Sequence, residues 1–217
     1  MALLSDKDKK YLEETFAKNL VSDVNLLFFK TSEKGKCEYC DAISDILHEL
    51  ATTSSKIKIT EYDVEKDKKE AEYLKINKLP AIAIWGKKSY DIYYFGIPSG
   101  HEFSSLIEDI IDASRGETRL SNTTKEKLKS INKDINIKVF VTPTCPYCPI
   151  AVRLAHQFAL ENSKIRGCMI EAIEFQELSE KYGVMGVPKV VINDKVSFEG
   201  AVPEETFLEY VLQAANS

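Results

Sequence analysis

Val139-Phe-Val-Thr-Pro-Thr-Cys145-Pro-Tyr-Cys148-Pro149 decides the fold of this chain, because it joins an apolar, strand-like run to two cysteines and a helical pattern. The same order occurs earlier, where Leu26-Leu-Phe-Phe29 precedes Cys37-Glu-Tyr-Cys40. The two motifs lie 108 positions apart, about half of the 217-residue chain. At this offset residues 37–84 and 145–192 agree at 11 of 48 positions, whereas average residue usage gives roughly three matches. The chain is therefore predicted to contain one folding unit twice.

Hydrophobic periodicity predicts the same order of elements in both units: helix, strand, helix, strand, helix, two strands and a final helix. In the first unit these are a helix after Ser5, a strand near 24–30, a helix from the cysteines to about 53, a strand near 56–63, a helix near 65–76, strands from Pro80 and near 90–95, and a helix near 100–113. In the second unit they lie near 123–131, 135–141, 146–161, 165–173, 175–183, 188–193, 195–199 and 203–214.

The predicted fold class is α/β, with two tandem units that each contain a mixed four-stranded sheet flanked by helices. The strand-helix-strand start of each unit implies parallel pairing, and the last two strands, joined in the second unit by Asn193-Asp194-Lys195, imply an antiparallel hairpin. The polar stretch Ser114–Asn122 is the predicted seam. We therefore expect one unit over residues 1–115 and the other over residues 116–217.

Composition and charge exclude several classes of protein. The chain has 29 Lys and Arg against 34 Asp and Glu, a net charge of −5, so it lacks the positive excess that nucleic-acid binding requires. Five cysteines are too few for a disulfide scaffold. The longest apolar runs, such as 24–29, are too short to cross a membrane. Charges begin at Asp6, which disfavours a signal peptide, and we expect a cytoplasmic protein that does not bind membranes.

The Cys-x-x-Cys motifs are the candidate catalytic groups, because paired cysteines in a reducing cytosol are more often catalytic or metal-binding than structural. Each motif lies where a strand leads into a helix, whose unpaired N–H groups and dipole favour negative charge. Cys37 and Cys145 are therefore expected to ionise readily and to attack a disulfide as thiolates. Two intervening residues place Cys40 or Cys148 one turn further along, in position to attack the resulting mixed disulfide.

A proline lies 40 residues after the second cysteine of each unit, at Pro80 and Pro188. A proline that opens a central strand is unusual, and a cis peptide bond before it would account for this position. Leu79 or Val187 would then offer its backbone to an extended substrate lying beside the cysteines. The neutral proline supplies no ligand that could complete a metal site, and we expect no bound metal.

Together, Cys-x-x-Cys at a strand-to-helix turn and Tyr182-Gly-Val-Met-Gly-Val-Pro188 before a strand resemble the thioredoxin and glutaredoxin fold. The tandem arrangement resembles the glutaredoxin-like protein disulfide oxidoreductases of thermophiles. This resemblance implies two nucleophiles, two resolving thiols and two cis-prolines. The implied nucleophiles are Cys145 and Cys37, and the implied resolving thiols are Cys148 and Cys40. The implied cis-prolines are Pro188 and Pro80.

The resemblance also implies cofactors and partners. It implies no bound cofactor, and two redox-active disulfides, Cys37–Cys40 and Cys145–Cys148. It implies thiol–disulfide exchange in electron transport and cell redox homeostasis, with electrons from a thioredoxin-reductase-like flavoprotein. Disulfide-containing proteins and peroxiredoxins are the implied partners. The chain departs from thioredoxins at Thr31 and Val139, where those proteins carry an acidic residue.

The two sites are predicted to differ in redox potential. Residues 139–150 around Cys145 carry no charge, whereas Glu38 and Asp41 flank Cys37. A carboxylate beside a thiolate makes the thiolate less favourable. Our hypothesis is that the first site is the more reducing and the second the more reactive.

Other residues have simpler interpretations. A Cys-x-x-Cys motif can be half of a zinc site, but these pairs are separated far beyond zinc-ribbon spacing. Tyr39 and Tyr147 cover or tune the sites, and packing is the favoured role. His48 and His156 match across the repeat, but two helical turns separate them from the cysteines, so packing is favoured over proton transfer. Cys168 is expected to be a buried apolar residue.

The function predicted from the sequence is protein thiol–disulfide oxidoreduction at two sites. A surface formed by Pro143, Pro146, Tyr147, Val187 and Pro188 is expected to hold an extended peptide. The alternatives are a dedicated electron carrier from a flavoprotein to a peroxiredoxin, and a non-catalytic thioredoxin-like binding module.

Overall fold

A computed structural model of the chain describes residues 4–216. Its helices are α1 (Asp6–Asn19), α2 (Cys40–Thr52), α3 (Lys68–Tyr73), α4 (Glu102–Arg115), α5 (Asn122–Lys129), α6 (Cys148–Glu161), α7 (Gln176–Lys181) and α8 (Glu204–Asn216). Its strands are β1 (Val24–Lys30), β2 (Ile57–Asp63), β3 (Ala81–Trp85), β4 (Ser89–Phe95), β5 (Ile135–Val141), β6 (Ile165–Glu171), β7 (Lys189–Ile192) and β8 (Val196–Glu199).

The predicted fold class of tandem mixed α/β units is confirmed. In the first unit β1 pairs in parallel with β2 and antiparallel with β3, which pairs antiparallel with β4. In the second unit β5 makes the same pairs with β6 and β7, and β7 pairs with β8. Each unit is therefore a mixed four-stranded sheet, as its order of elements indicates.

The two four-stranded sheets join into one sheet of eight strands, in the order β2-β1-β3-β4-β6-β5-β7-β8. The joining pair is β4 with β6, which run parallel with Ile92 opposite Gly167 and Phe95 opposite Ile170. Tyr93 and Tyr94 on β4 are completely buried. Burial of a large apolar side chain contributes about 1.5–3 kcal/mol to the free energy of folding. The junction between β4 and β6 is therefore part of the hydrophobic core.

The sheet has one heavily covered face and one lightly covered face. Six helices, α1, α2, α4, α5, α6 and α8, bury apolar side chains against the first face, where Leu26, Leu47 and Phe158 lie in one core. The two short helices α3 and α7 pack on the other face, around Phe29 and Ile170. The alternation of side chains along each strand separates these two cores.

Helix ends follow the local sequence. Ser5 and Ser121 cap α1 and α5 through their side-chain oxygens, which accept N–H groups of the first turn. Gly116 ends α4 in the left-handed conformation. Helix α3 is shorter than the predicted 65–76, because it starts only at Lys68 and the backbone turns left-handed at Lys75, with φ of 52°.

A buried polar cluster joins the two units where α4 packs on α6. The Arg153 guanidinium forms ion pairs with Asp109 and Asp112 of α4. The hydroxyl of Tyr94 donates to the Asp109 carboxylate, and His156 Nδ1 lies 2.6 Å from it. Burial and the neighbouring guanidinium lower the pKa of His156 to about 3, so the ring is neutral and donates its Nδ1 proton. These contacts link α4 and β4 of the first unit to α6 of the second.

Candidate redox sites

The two Cys-x-x-Cys pairs lie at the same edge of the sheet. Strands β1 and β5 point in the same direction, so the loops that follow them emerge together. Cys37 is disulfide-bonded to Cys40, and Cys145 to Cys148, each with Cα atoms 5.5 Å apart. Four strand spacings separate β1 from β5, which corresponds to roughly 19 Å. Within residues 4–216, no group of three or more His, Cys, Asp or Glu side chains is placed to hold a metal ion.

The predicted nucleophile of the second site, Cys145, lies against the start of α6. The backbone N–H of Cys148 donates to Cys145 Sγ at 3.1 Å. Cys145 is 7% exposed and Cys148 is completely buried, so Cys145 is the more accessible of the two sulfurs. A backbone N–H at a helix start stabilises a sulfur that becomes negative. The geometry therefore matches the chemistry expected of a nucleophile and a resolving thiol.

The helix begins later than the sequence pattern indicated. Helix α6 starts at Cys148, and the proline in its first turn is Pro149. The assignment of Pro146 to the first helical position is therefore wrong. Pro146 lies in the loop between the cysteines, so two residues separate Cys145 from the first residue of α6. The N–H of Cys148 points back at the sulfur from the first residue of α6.

The peptide before Pro188 lies beside the second site. The carbonyl oxygen of Val187 is 3.7 Å from Cys145 Sγ, and the Val187–Pro188 bond is cis. Pro188 itself is buried, whereas Val187 is half-buried. The backbone of Val187 therefore lies beside Cys145, where the sequence analysis predicted it.

Exposed apolar side chains occur in the segments that carry Cys145 and Pro188. Tyr147 is 64% exposed, Ile150 is 49% exposed and Met185 is 92% exposed. Of the prolines in the predicted peptide-binding surface, Pro143 is half-buried and Pro146 is exposed. We add Ile150 and Met185 to the predicted peptide-binding surface, because both are exposed and lie near Cys148 and Pro188 in the sequence. The sequence pattern alone did not indicate that these two side chains are exposed.

The first site has the same framework with a different environment. Cys37 and Tyr39 are half-buried, Cys40 is buried, and the Leu79–Pro80 bond is cis. Within residues 4–216, no backbone N–H donates to Cys37 Sγ as Cys148 N–H does to Cys145. The loop before Cys37 is also longer than its counterpart in the second unit. Cys37 Sγ therefore lacks, within the described residues, the backbone hydrogen bond that Cys145 Sγ accepts.

Two carboxylates from the second unit lie beside the first site. Glu171 ends β6 and stands next to Gly96, where a Cβ atom would come within 2.6 Å of the Glu171 Cβ. The N–H of Gly96 donates to the Pro80 carbonyl. Glu174 accepts a 2.6 Å hydrogen bond from the N–H of Ile97. Neither carboxylate was predicted from the sequence, because both come from the other unit.

These carboxylates give the first site a negative environment. Burial raises the pKa of Glu174 to about 7, and the charges of Glu171 and Glu38 add to this effect. The charge of Glu38 and burial raise the pKa of Tyr39. Glu174 and Glu171 raise it further. Carboxylates therefore act on the first site from both units.

A third carboxylate that was not predicted from the sequence is close to the second site. Glu102 begins α4 and is 1% exposed, and burial raises its pKa to about 7. The preceding residue, His101, donates its N–H to the carbonyl of Pro143, which lies in the loop before Cys145. The start of α4 therefore packs against the loop that carries the nucleophile.

The remaining candidate residues lie away from the chemistry. His156 belongs to the buried cluster of α4 and α6, and His48 lies 3.2 Å from Glu61 on the surface of the first unit. Cys168 is 3% exposed, and burial raises the pKa of its thiol. These positions agree with the structural roles favoured for them.

The fold and the paired cysteines have counterparts in known proteins. Residues 135–213 match the family described as the thioredoxin domain. A solved structure, a protein disulfide oxidoreductase from Aeropyrum pernix k1, is 34% identical to this chain. The match covers 98% of this chain and 94% of that one, with a TM-score of 0.91. This chain belongs to the protein disulfide oxidoreductase family. It is a thioredoxin-fold redox protein with two Cys-x-x-Cys sites.

A second group of relatives shares this architecture. The F subunit of alkyl hydroperoxide reductase from Staphylococcus epidermidis is 27% identical over 80% of this chain. The match spans only 32% of that relative's length. The solved F subunit from Enterococcus faecalis has the same fold, with a TM-score of 0.87 over 96% of this chain and 99% of that one, at 24% identity.

Within residues 4–216, every helix is too short or too polar to span a membrane.

Proposed function

We propose that this protein catalyses thiol–disulfide exchange on disulfide-containing proteins, with Cys145 and Cys37 as nucleophiles and Cys148 and Cys40 as resolving thiols. The observation that carries the proposal is the position of Cys145 Sγ, with the Cys148 N–H at 3.1 Å and the Val187 carbonyl at 3.7 Å. One group stabilises the reacting sulfur, and the other belongs to a backbone segment that can hold the substrate.

The first step is attack by the Cys145 thiolate on one sulfur of the substrate disulfide. A new S–S bond forms between Cys145 and the substrate, and the other substrate sulfur leaves as a thiolate that takes up a proton. The Cys148 N–H stabilises the attacking thiolate before the step. The burial of Cys148 keeps the resolving thiol out of the initial encounter.

The second step closes the disulfide of the protein. Cys148 loses its proton and attacks Cys145 Sγ, and the remaining substrate sulfur leaves as a thiol. The substrate has then gained two electrons and two protons, and the Cys145–Cys148 disulfide present in the structure has formed. An external dithiol, or a thioredoxin-reductase-like flavoprotein in the cell, regenerates the two thiols. The same steps in reverse oxidise a substrate dithiol.

Substrate binding in this proposal relies on backbone and apolar contacts. The Val187 backbone pairs with an extended segment, and Tyr147, Ile150 and Met185 cover the apolar side chains next to its disulfide. These contacts select an extended chain with little demand on its side chains. We therefore expect low sequence specificity. We also propose that the protein acts in the cytoplasm, where paired cysteines are more often catalytic than structural.

A second candidate function is electron transfer to a peroxiredoxin. The likeness to the F subunit of alkyl hydroperoxide reductase favours it, because 80% of this chain matches part of that protein. In this case a flavoprotein reduces one dithiol, and the other passes electrons to a single partner. Activity on unrelated protein disulfides would then be poor.

Insulin reduction by dithiothreitol distinguishes these functions. We expect the wild type to accelerate the reaction, and Cys145→Ser to remove most of the activity while Cys37→Ser keeps a larger part. Cys168→Ser is the matched control, because it removes a buried thiol that belongs to neither pair. An inactive wild type that still reduces a peroxiredoxin would favour the carrier. Inactivity in both assays would leave a non-catalytic binding module.

A further inference from the structure

The lightly covered face of the sheet contains a large cavity unrelated to the two cysteine pairs. Strands β4, β6 and β5 form its floor, and the segment after α3 and the helix α7 form its sides. The cavity has a volume of about 850 Å³. Pockets of roughly 300–1,000 Å³ are typical of small-molecule sites.

The lining of the cavity is strongly basic. Its cationic side chains are Lys75, Lys78, Lys138, Lys164, Arg166 and Lys181. Two carboxylates, Asp91 and Asp134, are the acidic side chains of the lining. The whole chain has a net charge of −5, so this local excess of positive charge runs against the overall balance.

The positive charge converges above the floor residue Cys168. Burial is the main factor that lowers the pKa of Lys78, and repulsion from nearby cations adds to it. These cations are Lys138, Arg166 and Lys181. In the described part of the chain, neither Lys78 nor Lys181 forms an ion pair with a carboxylate. These two ammonium groups therefore stand outside the direct ion pairs that three other cations of the lining form. Those pairs are Lys138 with Asp194, Lys164 with Asp134 and Arg166 with Asp91.

The geometry fixes the cations in place. The guanidinium of Arg166 lies 3.8 Å from the Tyr93 ring centroid and donates to the Leu74 carbonyl at 2.9 Å. Lys78 Nζ lies 5.1 Å from the centroid of the Phe95 ring. A planar guanidinium suits the oxygens of a phosphate group. Side chains held in this way lose little conformational freedom when they bind.

We propose that this cavity binds a small organic molecule bearing two or more phosphate groups, which Lys78, Arg166 and Lys181 contact. The convergence of charge at one point favours a compact polyanion over an extended acidic peptide, whose charges are spread along its length. The volume leaves room for an organic part beside the phosphates, against the ring of Tyr182. This site is independent of the proposed redox function.

Inorganic triphosphate is the probe that tests the proposal, by isothermal titration calorimetry of the full chain. We expect saturable binding at one site in the wild type, and at least a tenfold weaker affinity in Lys78→Gln/Lys181→Gln. The control Lys7→Gln/Lys10→Gln removes two exposed charges from α1 and should bind as the wild type does. Circular dichroism and thermal unfolding verify that both variants fold.

Three outcomes would overturn the proposal. The first is a wild type that shows no saturable binding of triphosphate. The second is an equal loss of affinity in the cavity variant and the α1 control, which would indicate nonspecific attraction. The third is tighter binding of a hexaglutamate peptide than of triphosphate, which would assign the cavity to an acidic protein segment.

Discussion

The backbone N–H of Cys148 donates to Cys145 Sγ at 3.1 Å, and no equivalent N–H within residues 4–216 reaches Cys37 Sγ. Each pair has the same Cα separation of 5.5 Å, so the difference lies in the surroundings of the nucleophile. A hydrogen bond to the charged form of a group lowers its pKa. The relationship predicts two dithiols of different reactivity in one sheet.

Cys145 is expected to ionise at lower pH than Cys37. Iodoacetamide alkylation, followed from pH 4 to 10 on the reduced protein, measures this difference. The variants Cys37→Ser/Cys40→Ser and Cys145→Ser/Cys148→Ser isolate the second and first sites in turn. Identical alkylation profiles for the two variants would show that the Cys148 N–H has no special effect.

Removal of the Glu38 charge is expected to make the first site less reducing. The carboxylate disfavours the Cys37 thiolate and therefore the reduced state, so Glu38→Gln should raise the potential of that pair. A rise of about 30 mV corresponds to roughly 1.4 kcal/mol. Equilibration with glutathione in the variant lacking the second pair measures it. Glu126→Gln, an exposed substitution in the other unit, is the control, and equal potentials in all three proteins would refute the effect.

Glu102→Gln is expected to change how stability depends on pH. Burial raises the pKa of Glu102 from 4.5 to about 7 in the folded protein, so the folded state holds the proton more tightly than the unfolded state. Its contribution is fully present below pH 4.5 and is lost as pH rises through 7. Relative to Glu102→Gln, the wild type should lose about 2–3 kcal/mol between pH 5 and pH 8. Urea unfolding at the two pH values measures this loss, and a constant difference would contradict the prediction.

Arg153→Met is expected to destabilise the joint between the units. The substitution leaves the buried carboxylates of Asp109 and Asp112 without their cationic partner. Breaking a buried ion pair in this way costs about 3–5 kcal/mol. Arg119→Met is the matched control, because Arg119 pairs with Glu108 on the surface at 3.5 Å, and exposed pairs contribute less than about 1 kcal/mol. Similar urea midpoints for the two variants would rule out a stabilising cluster.

Local sequence patterns predicted much of the fold. The strand predicted at 135–141 coincides with β5, and the prolines predicted to follow cis bonds do so. The pairing of β4 with β6 was missed, because an apolar strand has the same pattern whether its neighbour belongs to its own unit or to another. The late start of α6 was missed because prolines lie on both sides of Tyr147-Cys148 and either suits a first turn.

The cysteines and prolines of the candidate sites could be identified from spacing within each unit, whereas the carboxylates could not. Glu171 and Glu174 reach the first site only because the sheets join, which places β6 beside β4. One sequence feature marks Glu171 as unusual, because it is an acidic residue at the end of the apolar strand Cys168-Met-Ile-Glu171. This feature does not indicate which site the carboxylate approaches. The basic cavity also depends on the joined sheets, since both units line it.

The most direct test of nucleophilic exchange is to trap the mixed disulfide of each site. The reduced variant Cys40→Ser/Cys148→Ser retains both nucleophiles and lacks both resolving thiols, and it is mixed with an excess of a disulfide-containing peptide. Peptide mapping by mass spectrometry locates the adduct. We predict adducts at Cys145 and Cys37, with Cys145 modified faster. The absence of an adduct at either residue, or modification of Cys168 alone, would contradict nucleophilic exchange at these sites.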